Sequence, residues 1–390
     1  MANTLTNLIP TLYEALDTVS REMVGFIPAV SRNSSAERAA MNESILVPIT
    51  PATSLIDNTP AVTSPDSGDQ TIGNASIAIT KSKSAAIRWN GEQQLGMRNG
   101  GTYDNVLGQQ FEQAFRSLTN AMEADLFAAA YQGASRAYGT AGTAPFGTSG
   151  DMSDASNIRK ILDDNGAPQT DLHLVLGSSA VNNLRGKQAL VLKANEAGDQ
   201  GAFRRSGQVS EIPIAGLALH NSNAVQPVTK GTGANYVTSG STAVGVGDIA
   251  LVTGTGTVLA GDVVTFNADS VNKYVVNVGV TAPGTITIGA PGARVVIATA
   301  NALTVGGNYT PNIAFHRNAI QFVTRAPARP TGPGGQPMDA ADDVMIITDP
   351  VSGISFEVAI YRQFKQMLFL VGAAWGCAAV KPNHIATLIG

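Results

Sequence analysis

The sequence predicts a mixed α+β protein built from several parts, and three observations carry that prediction. Leu107, Phe111, Phe115, Leu118, Met122 and Leu126 recur at steps of three or four residues, the spacing that lines one face of an α-helix. An extended, charge-poor segment over 45–88 has strand-like runs enclosing a stretch rich in Pro, Ser, Asp and Gly at 59–73. A Gly-, Thr- and Val-rich window at 230–308 alternates short strand-like runs with turns, at a spacing of roughly ten residues.

At 390 residues the chain buries a substantial core and holds more than one domain. A formal net charge of −4 argues against non-specific nucleic-acid binding through a basic face. Charged residues make up 14% of the chain, against about 25% in an average soluble protein. With 44% hydrophobic residues, much neutral surface is left to be covered. In an assembly that surface becomes contact area, and in a Gly/Ala-rich enzyme it is only composition. Cys377, the only cysteine, sits in an apolar run and reads as a buried small hydrophobe. No secretion signal is read at the N-terminus, where the first positive side chain is Arg21 and Glu14 and Asp17 interrupt the apolar run. The longest apolar stretch, 367–380, is too short to span a bilayer. The expectation is synthesis in a reducing cytosol, with no export by a signal of its own.

Taken in order, Leu5, Leu8, Leu12, Leu16, Val19 and Met23 mark a first amphipathic helix, with Pro10 in its opening turn. Packed or presented to a partner, it is followed by a Ser/Asn/Ala-rich stretch at 31–42. Strand-like runs at 45–49, 76–80 and 84–89 suggest a long two-stranded arm with a polar tip. An isolated hairpin is only marginally stable in water, so the arm is expected to lie on another subunit. The long helix is placed at 104–133. Gly100-Gly101 ends what precedes it, Asp104 caps it and Gly133 stops it, giving a rod of roughly 40 Å.

A loop at 133–150 leads to a helix at 153–165 capped by Ser153, a strand at 172–176, a helix at 178–185, a loop at 198–207 and a strand at 211–219. Inside 230–308, strands are expected at 249–252, 263–266, 273–280, 285–288 and 294–298, forming a small barrel or sandwich inserted into a host loop. The tail supplies strands at 318–324, 343–348, 354–361 and 369–373, with a Pro/Gly-rich connection at 326–339.

No motif of catalysis accompanies these parts. Gly245-Val-Gly247 and Gly254-Thr-Gly256 lack a following Lys-Ser/Thr and open no helix, so they read as hairpin turns. His173, His220, His316 and His384 are scattered, without the spacing of a zinc site. Asp163-Asp164 and Asp342-Asp343 read as solvated turns. No Gly-x-Ser-x-Gly element occurs. The expectation is no catalytic, cofactor or metal residue, with an unrecognised α/β enzyme as an alternative and a secreted β-rich binding module, suggested by 231–307, as another.

Two segments resemble a known family. Phe315-His-Arg-Asn-Ala-Ile-Gln-Phe-Val-Thr-Arg-Ala-Pro-Ala-Arg-Pro330 is similar to the segment by which tailed-phage major capsid proteins leave their insertion domain. Gly353-Ile-Ser-Phe-Glu-Val-Ala-Ile-Tyr-Arg362 and Val371-Gly-Ala-Ala-Trp-Gly-Cys-Ala-Ala-Val-Lys-Pro-Asn-His-Ile385 resemble their C-terminal strands and closing Lys-Pro turn. The likeness is to coat proteins of short-tailed phages of the Salmonella-phage type. It implies the Hong Kong 97-like major capsid fold: an N-terminal arm (1–44), an extended β-hairpin loop (45–95), a peripheral domain with a spine helix (96–133), an axial domain (134–229), an inserted β domain (230–308), and a return with C-terminal strands (309–390). The implied function is an icosahedral procapsid shell that rearranges on maturation around packaged double-stranded DNA. The implied partners are further copies in hexamers and pentamers, scaffolding protein, portal protein, and DNA without sequence specificity, with no membrane. The implied location is the virion capsid, assembled in the host cytoplasm. Candidate contacts between subunits are Leu12, Leu16, Asp66, Asp69, Lys81, Lys83, Arg88, Arg116 and Glu123, whereas Leu107, Phe111, Phe115, Leu118, Met122 and Leu126 pack the spine helix. The inserted segment offers few charges for ion pairs between capsomers, and Lys81 and Lys83 give no basis for a covalent cross-link.

Overall fold

The computed structural model describes residues 8–23, 25–49, 55–58, 60, 71–148, 151–186, 213–336 and 338–390. Helices α1 (Ile9–Glu22) and α2 (Phe26–Ala29) come first, then strands β1 (Ser31–Ala39), β2 (Ser44–Ile49), β3 (Gly73–Ala78) and β4 (Lys81–Asn90). Helices α3 (Gly91–Asn99) and α4 (Tyr103–Gln132) follow, then β5 (Arg136–Gly139), α5 (Ser153–Asp164), β6 (Leu172–Leu176), α6 (Ser178–Arg185) and β7 (Ala218–Asn221). Short strands come next: β8 (Val237–Thr238), β9 (Asp248–Val252), β10 (Val263–Phe266), β11 (Asp269–Val278), β12 (Thr285–Ile288) and β13 (Leu303–Val305). The chain closes with β14 (Pro311–His316), β15 (Ile320–Pro327), β16 (Asp343–Thr348), β17 (Ser355–Gln363), β18 (Gln366–Ala379) and β19 (Ile385–Ile389).

Helix α4 runs for 30 residues, about 45 Å at the usual rise. Its apolar stripe is buried along its whole length, with Leu107, Phe111, Phe115, Leu118, Met122 and Leu126 all in the main core. Phe111 meets Phe369 and Phe115 meets Phe356, both edge to face, so the stripe is keyed into β18 and β17. Gly133 closes the helix as expected from the sequence. The start differs by one position: Thr102 is the N-cap, and Asp104 lies inside the first turn, where its charge faces the positive end of the helix dipole. In α5, Met152 rather than Ser153 is the N-cap, and the Asp151 carboxylate accepts from the Ser153 backbone N–H (2.8 Å) and hydroxyl (2.9 Å).

Two sheets flank the helix. In the six-stranded sheet the order is β1-β15-β18-β17-β16, with β4 also paired to β18. Two expectations change here. Residues 84–89, placed in the arm by their alternation, belong to β4 and pair antiparallel with β18 from Asn90↔Gln366 to Lys81↔Trp375. The Ser/Asn-rich stretch at 31–42 contains β1, which runs parallel to β15. The N-terminal segment is therefore folded onto its own chain over its described residues, with α1 packed on α4 through Leu12, Ala15, Leu16 and Val19. Leu5 lies outside the described residues.

The second sheet has eleven strands and carries the α5/α6 layer, which has an apolar cluster of its own around Ile158, Leu162, Leu174 and Leu176. Its strands β14 and β19, buried at every position, went unread in sequence. Of the expected strand at 211–219, residues 211–212 lie outside the described residues, Ile214 and Leu217 bridge one another across a tight turn, and the strand β7 begins only at Ala218. The loop expected at 198–207 lies outside the described residues.

Between Val228 and Tyr309, which bridge one another, strand pairing runs β13-β10-β11-β12-β9-β8. A bridge from Val237 to Ala302 joins the two ends of that series around a separate cluster that includes Tyr236, Phe266, Tyr274 and Ile286. The Lys230 backbone N–H donates to Asn308 Oδ1 (3.0 Å), so the segment enters and leaves at one place. The expected strand at 294–298 reduces to one bridge, Ile297 to Thr242, with the Arg294 N–H donating to the Tyr274 hydroxyl (2.9 Å). The segment is also tied to the host, because β11 pairs with β5.

Candidate assembly surfaces

What remains of the arm is a ribbon. β2 and β3 pair antiparallel from Ser44↔Ala78 to Ile49↔Gly73, and among the described residues this two-stranded sheet pairs with no third strand. Its root is fixed. Ile79 is buried with Ala39 and Ala374, Ile45 packs on them, and the Thr80 N–H donates to the Trp375 carbonyl (3.1 Å). Gly376 permits this approach, since a Cβ there would lie 2.1 Å from the Ala78 carbonyl oxygen. Beyond the root Leu46 on β2 is 61% exposed and Ile72, just before β3, 64%, and Leu55 in the connecting segment is 97% exposed. Covering one such side chain is worth about 1.5–3 kcal/mol, and both long edges of the ribbon present backbone groups to a partner. Asp66 and Asp69, expected on this arm, lie outside the described residues.

The other candidate contact residues divide by what they touch. Leu12 and Leu16 have no exposed surface and pack against α4, so in this fold they are core residues and not a face for a neighbour. Lys83 and Arg88 are exposed on β4. Lys81 forms an ion pair with Asp125, whose other oxygen accepts from Trp375 Nε1 (2.8 Å). Arg116 holds Glu22 through two parallel bonds of 2.7 Å, which keeps the Glu22 carboxyl below its ordinary range. That pair joins α1 to α4 at the surface, where such bridges contribute about 0–1 kcal/mol. Glu123 is engaged within its own chain: its carboxylate accepts from the N–H groups of Phe26 and Ile27 (3.0 Å for Ile27) and from the Ser222 hydroxyl (2.8 Å). Burial pushes this carboxyl up and the three donors pull it back. Arg116 and Glu123 thus act first inside the subunit.

Sequence reading missed an exposed aromatic. Phe364 is 88% exposed at the tip of the β17–β18 hairpin, beside an open groove of about 750 Å³ whose walls include Trp89, Leu95 and Met367. The available signal was one Phe within Arg362-Gln-Phe-Lys-Gln366.

The polar clusters also rearrange. Asp163 and Asp164 are exposed, as expected, but they end helix α5 instead of forming a turn, and they pair with Arg159 and with Lys160 and Arg136. Asp342 pairs with Arg362. The scattered histidines form two pairs: His173 Nδ1 lies 2.9 Å from His220 Nε2, and the rings of His316 and His384 are 6.2 Å apart. Cys377 is half-buried, its thiol donating to the Asp125 carbonyl (3.4 Å) and pushed up to about 12, chiefly by desolvation. Gly245 and Gly256 both adopt positive φ in turns flanking β9. Among the described residues no group of three or more His, Cys, Asp or Glu side chains is placed to hold a metal ion, and no helix is long and apolar enough to cross a membrane.

Neither a family model nor a curated protein matches this chain. Among solved structures, it is similar to the capsid of cyanophage P-SCSP1u, with 13% identity and a TM-score of 0.45 over 94% of this chain and 88% of that one. It is similar to a virus-like particle from Pyrococcus furiosus, with 10% identity and a TM-score of 0.44 over 97% and 98% of the two chains. A structure of Mycobacterium phage Che8 gives 12% identity and a TM-score of 0.41 over 89% and 84%.

Proposed function

We propose that this chain is a shell subunit, the major capsid protein of a tailed phage, with a Hong Kong 97-like fold and an inserted β domain. One observation carries the reading: the β2–β3 ribbon is rooted beside the six-stranded sheet, yet exposes apolar side chains and, among the described residues, two unpaired edges. A ribbon of this kind is finished by a second copy of the chain lying against it. The capsid-like segments at 315–330, 353–362 and 371–385 add support. In this structure they form the end of β14, β15, β17, β18 and the turn into β19, the strands to which α4 is keyed. On this reading the subunits form hexamers and pentamers, assemble with scaffolding and portal proteins in the host cytoplasm, and close a shell that rearranges around double-stranded DNA. No catalysis is assigned to it. Exposed Lys83, close to the base of the ribbon, and exposed Arg88, toward the other end of β4, become candidate contacts to the neighbour, joined by Phe364.

Electron microscopy of the purified recombinant protein tests the proposal directly. Rings or closed shells are the expected outcome, with sedimentation far above the 40.2 kDa chain mass. A protein that stays monomeric at high concentration, even with scaffolding protein supplied, is not a shell subunit.

A further inference from the structure

The chain passes between its two sheets twice within one small region, and its four histidines lie there. Going out, β14 ends at His316, a 3-10 turn covers Arg317–Ala319, and β15 begins in the other sheet. Coming back, β18 ends at Ala379, a 3-10 turn covers Pro382–His384, and β19 re-enters the first sheet. The two crossings are laced together, since the N–H groups of Val380 (2.8 Å) and Lys381 (3.2 Å) both donate to the Ala319 carbonyl. Asn165 Nδ2 donates to the Asn383 carbonyl (2.9 Å) and ties the second crossing to the end of α5.

The histidines are bonded here in a way that suits neutral rings. His316 Nδ1 accepts from the Asn318 N–H (3.2 Å), a bond that protonation at Nδ1 removes. His173 sits on β6 opposite Phe315, with Asp171 Oδ1 at 3.1 Å and Arg317 Nη2 at 3.3 Å from its Nε2, and His220 at its Nδ1. In either neutral tautomer one ring nitrogen of His173 accepts, from His220 or from Arg317. A doubly protonated ring donates to Asp171 from Nε2 and toward His220 from Nδ1, and no longer offers an acceptor to Arg317 Nη2. The surrounding charges add to the difficulty. Arg317 and Lys381 stand on the crossings, and Arg32 approaches Arg317 from β1. On the other side are Asp171, which is already bonded to Arg317 (3.1 Å), and Asp349, which faces Arg32.

We propose that these paired crossings form a proton-sensitive joint between the two sheets, locked while its histidines are neutral and loosened when they become charged. Burial is the main cause that holds His173, His316 and His384 below the ordinary histidine range, and the neighbouring cations act the same way. The sign follows. The locking contribution is complete above the pKa of a free histidine, about 6.5, and is lost as pH falls from there through the lower folded-state values. The joint belongs to the single subunit and stands whether or not subunits assemble.

Amide hydrogen exchange on the full-length subunit, corrected for the intrinsic pH dependence of exchange, tests it. Between pH 8 and pH 5, protection at 317–321 and 380–386 should drop severalfold. Protection along α4 should change far less, and the double variant His316→Gln, His384→Gln should flatten the response at the crossings. Equal protection at both pH values overturns the proposal, as does a response that persists undiminished in the double variant. Ring titration of the wild-type histidines by NMR decides the matter if that variant does not fold. Midpoints below that of an exposed histidine are expected, and ordinary midpoints for His173, His316 and His384 overturn it.

Discussion

Glu123 and Gly25 show how a single contact decides where a whole segment goes. The Glu123 carboxylate takes the place of a missing cap on α2, satisfying N–H groups at its start, and the Ser222 hydroxyl joins it from the far side. Gly25 stands next to that carboxylate, and a Cβ there would lie 1.8 Å from Glu123 Oε1 and 2.9 Å from Ser222 Cβ. Gly25→Ala must therefore push the carboxylate off its donors. The expected loss is about 1–3 kcal/mol, typical of overpacking a filled site, read as a lower denaturant midpoint at unchanged slope. Equal stability of the two proteins would mean that α2 is held by packing alone. The neighbouring Arg116–Glu22 pair is exposed and should matter much less.

Among the elements, α4 and the ribbon have opposite characters. Leu118 lies within the buried stripe of α4, so Leu118→Ala should cost about 2–5 kcal/mol, the loss of a buried side chain plus the cavity it leaves. Calorimetry of the subunit measures this directly. Deleting 59–71 leaves both β2 and β3 intact. Loop closure changes by only about 0.6 kcal/mol for each halving of length, so the subunit should melt near the parent temperature. On the proposed function, shell yield should fall, because the segment joining β2 to β3 is shortened. If the shortened protein assembles at parental yield, the ribbon is an ordinary surface loop and the proposed function loses its main support.

At the scale of the whole molecule, separate clusters of buried side chains are joined by few covalent links. The 230–308 segment has its own apolar cluster, its ends meet at Lys230 and Asn308, and its strand series joins end to end. Its backbone tie to the host through β11 and β5 involves Lys273↔Ala137 and Tyr274↔Arg136. We expect the excised fragment to fold alone, with a β-type circular dichroism spectrum and a cooperative melt. A non-cooperative melt would show that β5 is needed to complete it. The two large sheets differ from this arrangement: they share the α4 core and the two crossings, so they are expected to unfold together and to move against each other only at the joint.

Local pattern was enough for some of this. The 3.6-residue stripe of α4, the Gly133 stop, and the cadence of turns around β9, β10 and β12 could be read directly, because backbone geometry imposes those periods on neighbouring residues. The bounds of β16 were also legible locally, at 343–348. Strand partnership was not. Residues 84–89 alternate like an arm strand, yet pair with a strand nearly three hundred residues later, since backbone hydrogen bonding carries no address in sequence. β14 and β19 are buried at every position, with Asn312, His316 and Thr387 among their buried residues, so neither shows the apolar–polar alternation of a strand with one wet face. Leu12 and Leu16 have the same amphipathic spacing whether α1 packs on its own chain or on a neighbour, and the stripe of α4 decided it. The histidines were remote from one another until β6, β7, β14 and the last turn were brought together. Sequence determined which segments become rods and ribbons, because those depend on neighbours a few residues away. Only tertiary structure decided which ribbon stays unpaired and which side chains meet, because long-range packing selects among partners that local pattern leaves equivalent.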